Sequence, residues 1–165
     1  MPIRLPFFAI LLALLFGCET GPEFSVEGTY VPPRAGTVAV ATIRGSLIKD
    51  SGFLEGDHLG FVMMIDAMFV RGSESNPMEP LALAPGRHSI VAKYLHSNFQ
   101  TQAFLTFEAA AGDAYQLMIK NGTEAPDEQR YCEFWIADLT TGKSVSEVHH
   151  RRVSGGKTSS TFSAR

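Results

Sequence analysis

Apolar and polar residues alternate with a period of two through the middle of this chain, and that period predicts strands. From Arg87 to Leu95 one face carries His88, Ile90, Ala92 and Tyr94, and the other carries Arg87, Ser89 and Lys93. From Thr101 to Ala109, Ala103, Leu105 and Phe107 oppose Gln102, Thr106 and Glu108. From Ala114 to Lys120, Tyr115, Leu117 and Ile119 oppose Gln116, Met118 and Lys120. Each run reads as a half-buried strand of an antiparallel sheet. Thr37 to Arg44 and Phe61 to Ile65 are apolar on both faces and are expected at central positions. Tyr131 to Leu139 is aromatic-rich and alternates less cleanly. No window longer than one turn carries the stripe of an amphipathic helix.

Turn residues separate these runs. Ala84-Pro85-Gly86, Ala111-Gly112-Asp113 and Thr141-Gly142-Lys143 each lie between strand-like segments and predict hairpins. The expected fold is all-β: a single antiparallel β-sandwich of about seven strands over residues 37–153. The flanks differ in composition. Residues 18–36 are rich in Gly, Pro and Glu, with Pro22, Pro32 and Pro33, and read as a flexible tether. Residues 154–165 (SGGKTSSTFSAR) read as a disordered tail.

The first residues have their own pattern. Arg4 is the only charge before the apolar run Leu5 to Phe16, which ends in Leu15-Phe16-Gly17-Cys18. Phe7 to Phe16 is too short to cross hydrocarbon of about 30 Å, which takes roughly 20 residues. A charged start, an apolar stretch and a small residue at the cut mark a secretory signal. With the cysteine at its end, the segment resembles a bacterial lipoprotein signal peptide and its lipobox. That resemblance implies diacylation of the Cys18 thiol and removal of residues 1–17, with Cys18 as the mature N-terminus. Acyl chains contribute about 0.8 kcal/mol per buried methylene, so such an anchor is stable. Glu19 after the cysteine implies the outer membrane, facing the periplasm.

Composition narrows the functional classes. Hydrophobic residues make up 45% of the chain and phenylalanine numbers 12, enough for a core. The net charge is -3, and loss of Arg4 with the signal makes it slightly more negative, which argues against nucleic acid as a partner. With Cys18 lipidated, Cys132 has no intramolecular disulfide partner. It reads as a small buried hydrophobe.

Ile65-Asp66-Ala67-Met68, followed by Leu81-Ala82-Leu83-Ala84-Pro85-Gly86-Arg87-His88-Ser89-Ile90, resembles bacterial surface modules of the PEGA type. Those carry a strand, an Asp-Gly-like turn, a second strand, a variable loop and an apolar run into a Pro-Gly turn. Ala67 stands where that pattern has Gly, and the stretch Arg71 to Pro80 is longer than usual. The resemblance implies an accessory domain associated with carbohydrate or the cell surface, not a catalyst.

Candidate chemistry is sparse. The histidines are His58, His88, His96, His149 and His150. A zinc site needs three or four converging ligands. His149 and His150 are adjacent and point to opposite faces of a strand, so no metal site is expected. No Gly-x-Ser-x-Gly elbow is present, and Glu124, Asp127 and Glu128 read as a solvated loop beside Pro126. No catalytic residue is therefore assigned and no cofactor is expected. His149-His150-Arg151-Arg152 reads as a solvated basic strand end, and Asn121-Gly122 as a turn. Tyr131 and Trp135 share a strand face and are the candidate ligand contacts, since such a pair can stack on a sugar.

The expected function is a membrane-anchored, extracytoplasmic lipoprotein that is not an enzyme. Its partners would be the lipid bilayer, through acylated Cys18, and an envelope protein or glycan. A carbohydrate- or peptidoglycan-binding module is the first alternative, and a small hydrolytic enzyme the second.

Overall fold

The computed structural model describes residues 28–34, 39–49, 56–125 and 129–155. Residues 1–27, including Cys18, lie outside the described residues, as do Asp127, Glu128 and 156–165. Among the described residues there is no helix, and the chain forms twelve strands. They are β1 (Gly28–Thr29), β2 (Ala41–Arg44), β3 (Ser46–Ile48), β4 (His58–Ile65), β5 (Met68–Phe69), β6 (Leu81–Leu83), β7 (Gly86–His96), β8 (Phe99–Ala109), β9 (Ala114–Glu124), β10 (Gln129–Asp138), β11 (His149–Arg152) and β12 (Ser154–Gly155). The expectation of about seven fell short by the pieces of two or three residues, which are too short to show an alternation.

Two sheets result. One has the order β1-β5-β4-β7-β8-β12, with β3 also on β4; the other has the order β11-β10-β9-β2-β6. The expected faces of the long strands are the observed ones. Ile90, Ala92, Tyr94, Ala103, Leu105, Phe107, Tyr115, Leu117 and Ile119 are buried in one cluster. Ala41, Ile43, Cys132, Phe134 and Ile136 join it from the second sheet.

Both sheets are mixed, which corrects the purely antiparallel expectation. β1 runs parallel to β5, and β2 runs parallel to β9 with Ile43 opposite Tyr115. No hairpin joins either pair, so no turn dictates their direction. Two of the expected hairpins are corrected too. Ala84-Pro85 leads from β6 in the second sheet to β7 in the first, and Ala110 to Asp113 leads from β8 in the first to β9 in the second. A Pro or Gly marks a change of direction equally well for a return and for a crossing.

The folded region extends past both ends of 37–153. Gly28 and Thr29 pair with Met68 and Phe69, and the Tyr30 hydroxyl donates to the Ala82 carbonyl at 2.8 Å. Ser154 and Gly155 pair with Gln100 and Phe99. Free edge backbone gives these polar residues partners that hydrophobic patterning does not announce.

β4 is covered on both sides. Val62 and Ile65 belong to the core, Phe61 and Met64 are buried as well, and the register shifts between Val62 and Met64. The Ser73 hydroxyl caps the Val62 carbonyl at 2.7 Å beside the shift. The hairpin from β4 to β5 turns at Asp66 and Ala67, with φ of 48° and 63°, as in a type I′ turn. Asp66 fixes the turn to β7. Its carboxylate accepts from the Ser89 amide at 2.8 Å and from His88 Nδ1 at 2.7 Å. His88 Nε2 lies 2.7 Å from the Ala84 carbonyl oxygen.

Two outcomes follow for denaturant melts. Leu105→Ala and Leu117→Ala are each expected to cost about 2–4 kcal/mol, because both side chains are fully buried. Gln116→Ala should cost less than either, about 1 kcal/mol, the worth of its hydrogen bond to Arg44. Equal losses at 116 and 117 would overturn the register of β9. Ala67→Gly should raise stability by about 0.5–1 kcal/mol, because glycine adopts the left-handed region without the Cβ clash. A loss there would show that the alanine is not strained.

Candidate functional site

The inner faces turn polar at one end of both sheets. In β7 the period of two continues from Tyr94 to His96, and in β9 from Ile119 to Asn121 and Thr123. In β10 it runs back from Cys132 to Arg130, and in β4 from Gly60 to His58. These side chains line a cavity of about 370 Å³, within the size range of small-ligand sites. Phe99, Val153, Gly122 and Tyr131 complete its wall. Val153 sits where the chain crosses from β11 to β12, and its amide donates to the Arg130 carbonyl at 2.9 Å. A second concavity of about 580 Å³ continues outward past Phe99, Arg130 and Val153 to Arg152 and Gln129.

The groups in the cavity are closely organised. His58 and His96 stack with ring centroids 3.9 Å apart and planes at 24°. His58 Nδ1 is 2.7 Å from the Tyr94 hydroxyl. Arg130 reaches from the second sheet to lie over the Phe99 ring of the first, 4.3 Å from its centroid, a cation–π contact. His96 is 6% exposed, and its Nε2 is buried without a hydrogen-bond partner. Among the described residues the other such atom is Arg44 Nε, on a guanidinium whose Nη2 donates to Gln116 Oε1 at 3.2 Å.

Burial sets the chemistry of the Tyr94 phenol in the lining and of the neighbouring Cys132 thiol. It pushes the Tyr94 phenol up to about 12, with the Cys132 sulfur adding to the rise and Arg130 opposing it. Burial likewise pushes the Cys132 thiol up to about 12. At neutral pH the phenol and the thiol are both protonated. Cys132 is free and fully buried.

The expected ligand pair is divided. Tyr131 and Trp135 do share the outward face of β10. Tyr131 lies at the cavity rim, across Gly122 and stacked on His150 with centroids 4.5 Å apart. A Cβ on Gly122 would come within 2.6 Å of the Tyr131 hydroxyl oxygen, so the ring needs that glycine. Trp135 is half-buried opposite Met118 and does not line the cavity. Asn121-Gly122, expected as a turn, lies inside β9; Tyr131 covers the glycine and the ladder to β10 continues through it. The basic run 149–152 is the edge strand β11, where His150 meets Glu124 at 3.2 Å.

Patterning had pointed to Tyr131 and Trp135 and missed His58, His96, Arg130, Asn121 and Thr123. The parity of His96 with Tyr94, and of Arg130 with Cys132, was the available signal. Among the described residues no group of three or more His, Cys, Asp or Glu could hold a metal ion. Comparison with known proteins found no matching family model, curated protein or solved structure.

The raised thiol gives a pH dependence with a definite sign. The unfolded chain releases the Cys132 proton near its ordinary value of 9.0, whereas the folded chain holds it to about 12. The stabilisation is complete below the unfolded value and is lost as the pH rises through this window. The denaturation midpoint should therefore fall above about pH 9, less steeply in Cys132→Ala. A fall of equal steepness in the variant would remove Cys132 from this account.

Proposed function

We propose that the protein is a lipid-anchored, extracytoplasmic binding module, not an enzyme, built as a β-sandwich and held at the bacterial envelope through acylated Cys18. The observation that carries the binding reading is the open polar cavity at the end of the two sheets. It presents hydrogen-bonding side chains from four strands, β4, β7, β9 and β10, and its Tyr94 phenol is held in the neutral form. Support for the sandwich is the single core shared by both sheets. Support for the anchor is the apolar run ending at Leu15-Phe16-Gly17-Cys18, and Glu19 favours the outer membrane, facing the periplasm. The partner is an envelope protein or a glycan.

A glycan or peptidoglycan fragment is the second reading, and the aromatic Tyr131 at the cavity rim favours it.

Metabolic labelling with a fatty-acid analogue tests the anchor. Wild type should incorporate label and fractionate with membranes, and Cys18→Ala should do neither. Equal labelling of the two would refute lipidation at this residue.

A further inference from the structure

The cavity has an electrostatic bias that the general binding reading leaves open. Its titratable lining consists of His58, His96, Tyr94, Tyr131 and Arg130, and no carboxylate of the described residues is among it. Glu124, next to Thr123, is turned instead to His150 on the outer side of β9. The adjoining concavity adds the Arg152 guanidinium. Between them, Asn121 and Thr123 offer an amide and a hydroxyl donor.

His96 makes the second, independent point. His96 lines the cavity, and its Nε2 is buried with no partner. A buried polar atom left in that state costs about 1–3 kcal/mol, and a ligand oxygen removes the cost. With its proton on Nε2, the imidazole donates to such an oxygen.

We propose that this end cavity is a receptor site for one compact oxyanion, a phosphate or a carboxylate, held between Arg130 on one sheet and the stacked His58–His96 pair on the other. The proposal rests on the reading of the cavity as a binding site and specifies the charge of what enters it. Arg130 supplies the planar fork that matches two oxyanion oxygens. His96 Nε2 supplies a donor from the opposite side. Asn121 and Thr123 serve the remaining oxygens or the sugar-like hydroxyls of a larger ligand. The phosphate and carboxylate share this chemistry, and only the ligand itself separates them.

Three probes with a common ring distinguish the cases: glucose 6-phosphate, glucuronate and glucose. The full chain, purified in mild detergent, is titrated at constant ionic strength while the histidine ring resonances are followed by NMR. Titration to about 10 mM passes a millimolar dissociation constant. The expected result is saturable shifts of His58 and His96 with the charged sugars and none with glucose. Whichever of the phosphate and the carboxylate binds more tightly names the source of the anion.

Arg130 is exposed, so Arg130→Gln should fold normally, and it should weaken binding about tenfold to hundredfold. Arg130→Lys should recover part of that loss, and Lys120→Gln, on the outward face, should change nothing. Equal binding of glucose would overturn recognition of charge while leaving a glycan-binding cavity intact. No shift with either charged sugar, or full affinity in Arg130→Gln, would overturn the oxyanion site. None of these outcomes bears on lipidation at Cys18, which the labelling experiment tests separately.

Discussion

The structure depends on the unbroken period of two in its longest strands. β7, β8 and β9 each run for eleven residues, and β10 for ten. Every second side chain is committed to the space between the sheets. Sheets pack about 10 Å apart, and that separation is filled by leucine, isoleucine and phenylalanine along most of the length. Where the apolar residues run out, the backbone continues without slipping. The next positions of the same parity then project histidine, asparagine, threonine and arginine into the gap. The cavity is the continuation of the core by other residue types, and a one-residue slip in any of these strands would dissolve both together.

Much of this was legible in the sequence. The buried faces of β7, β8 and β9 are those the alternation marks, because each has one dry and one wet side. Other features were not legible, for physical reasons. A glycine or proline reports that the chain bends but not whether it returns to its own sheet, so the crossings at Ala84-Pro85 and Gly112 looked like hairpins. β1 and β12 are two-residue pairings of polar chain with edge backbone and leave no hydrophobic trace. Asn121-Gly122 reads as a turn by composition, yet Tyr131 needs the missing side chain and keeps the pair in a strand. His58 and His96 lie far apart in sequence, and their stacking follows from the antiparallel pairing of β4 with β7, which no local pattern contains.

β4 shows how a local irregularity is absorbed. The shift between Val62 and Met64 breaks the ladder, and a broken ladder inside a protein leaves backbone groups without partners. Ser73 answers one of them from the long segment after β5. That segment is thereby tied down across the outer side of β4, and Phe61 and Met64 are buried there. The strand was expected to be apolar on both faces, and the cover that makes this tolerable is a loop, not a third sheet.

The pairing of Gly28 and Thr29 with β5 has a geometric consequence. β5 lies beside Ile65, at one end of β4, whereas the cavity opens beside His58, at the other. Eight residues at about 3.3 Å each separate the two ends by roughly 25 Å. The described chain therefore enters the fold at the pole opposite the cavity. Any attachment made upstream of Gly28 therefore reaches the fold at the end of β4 away from the cavity.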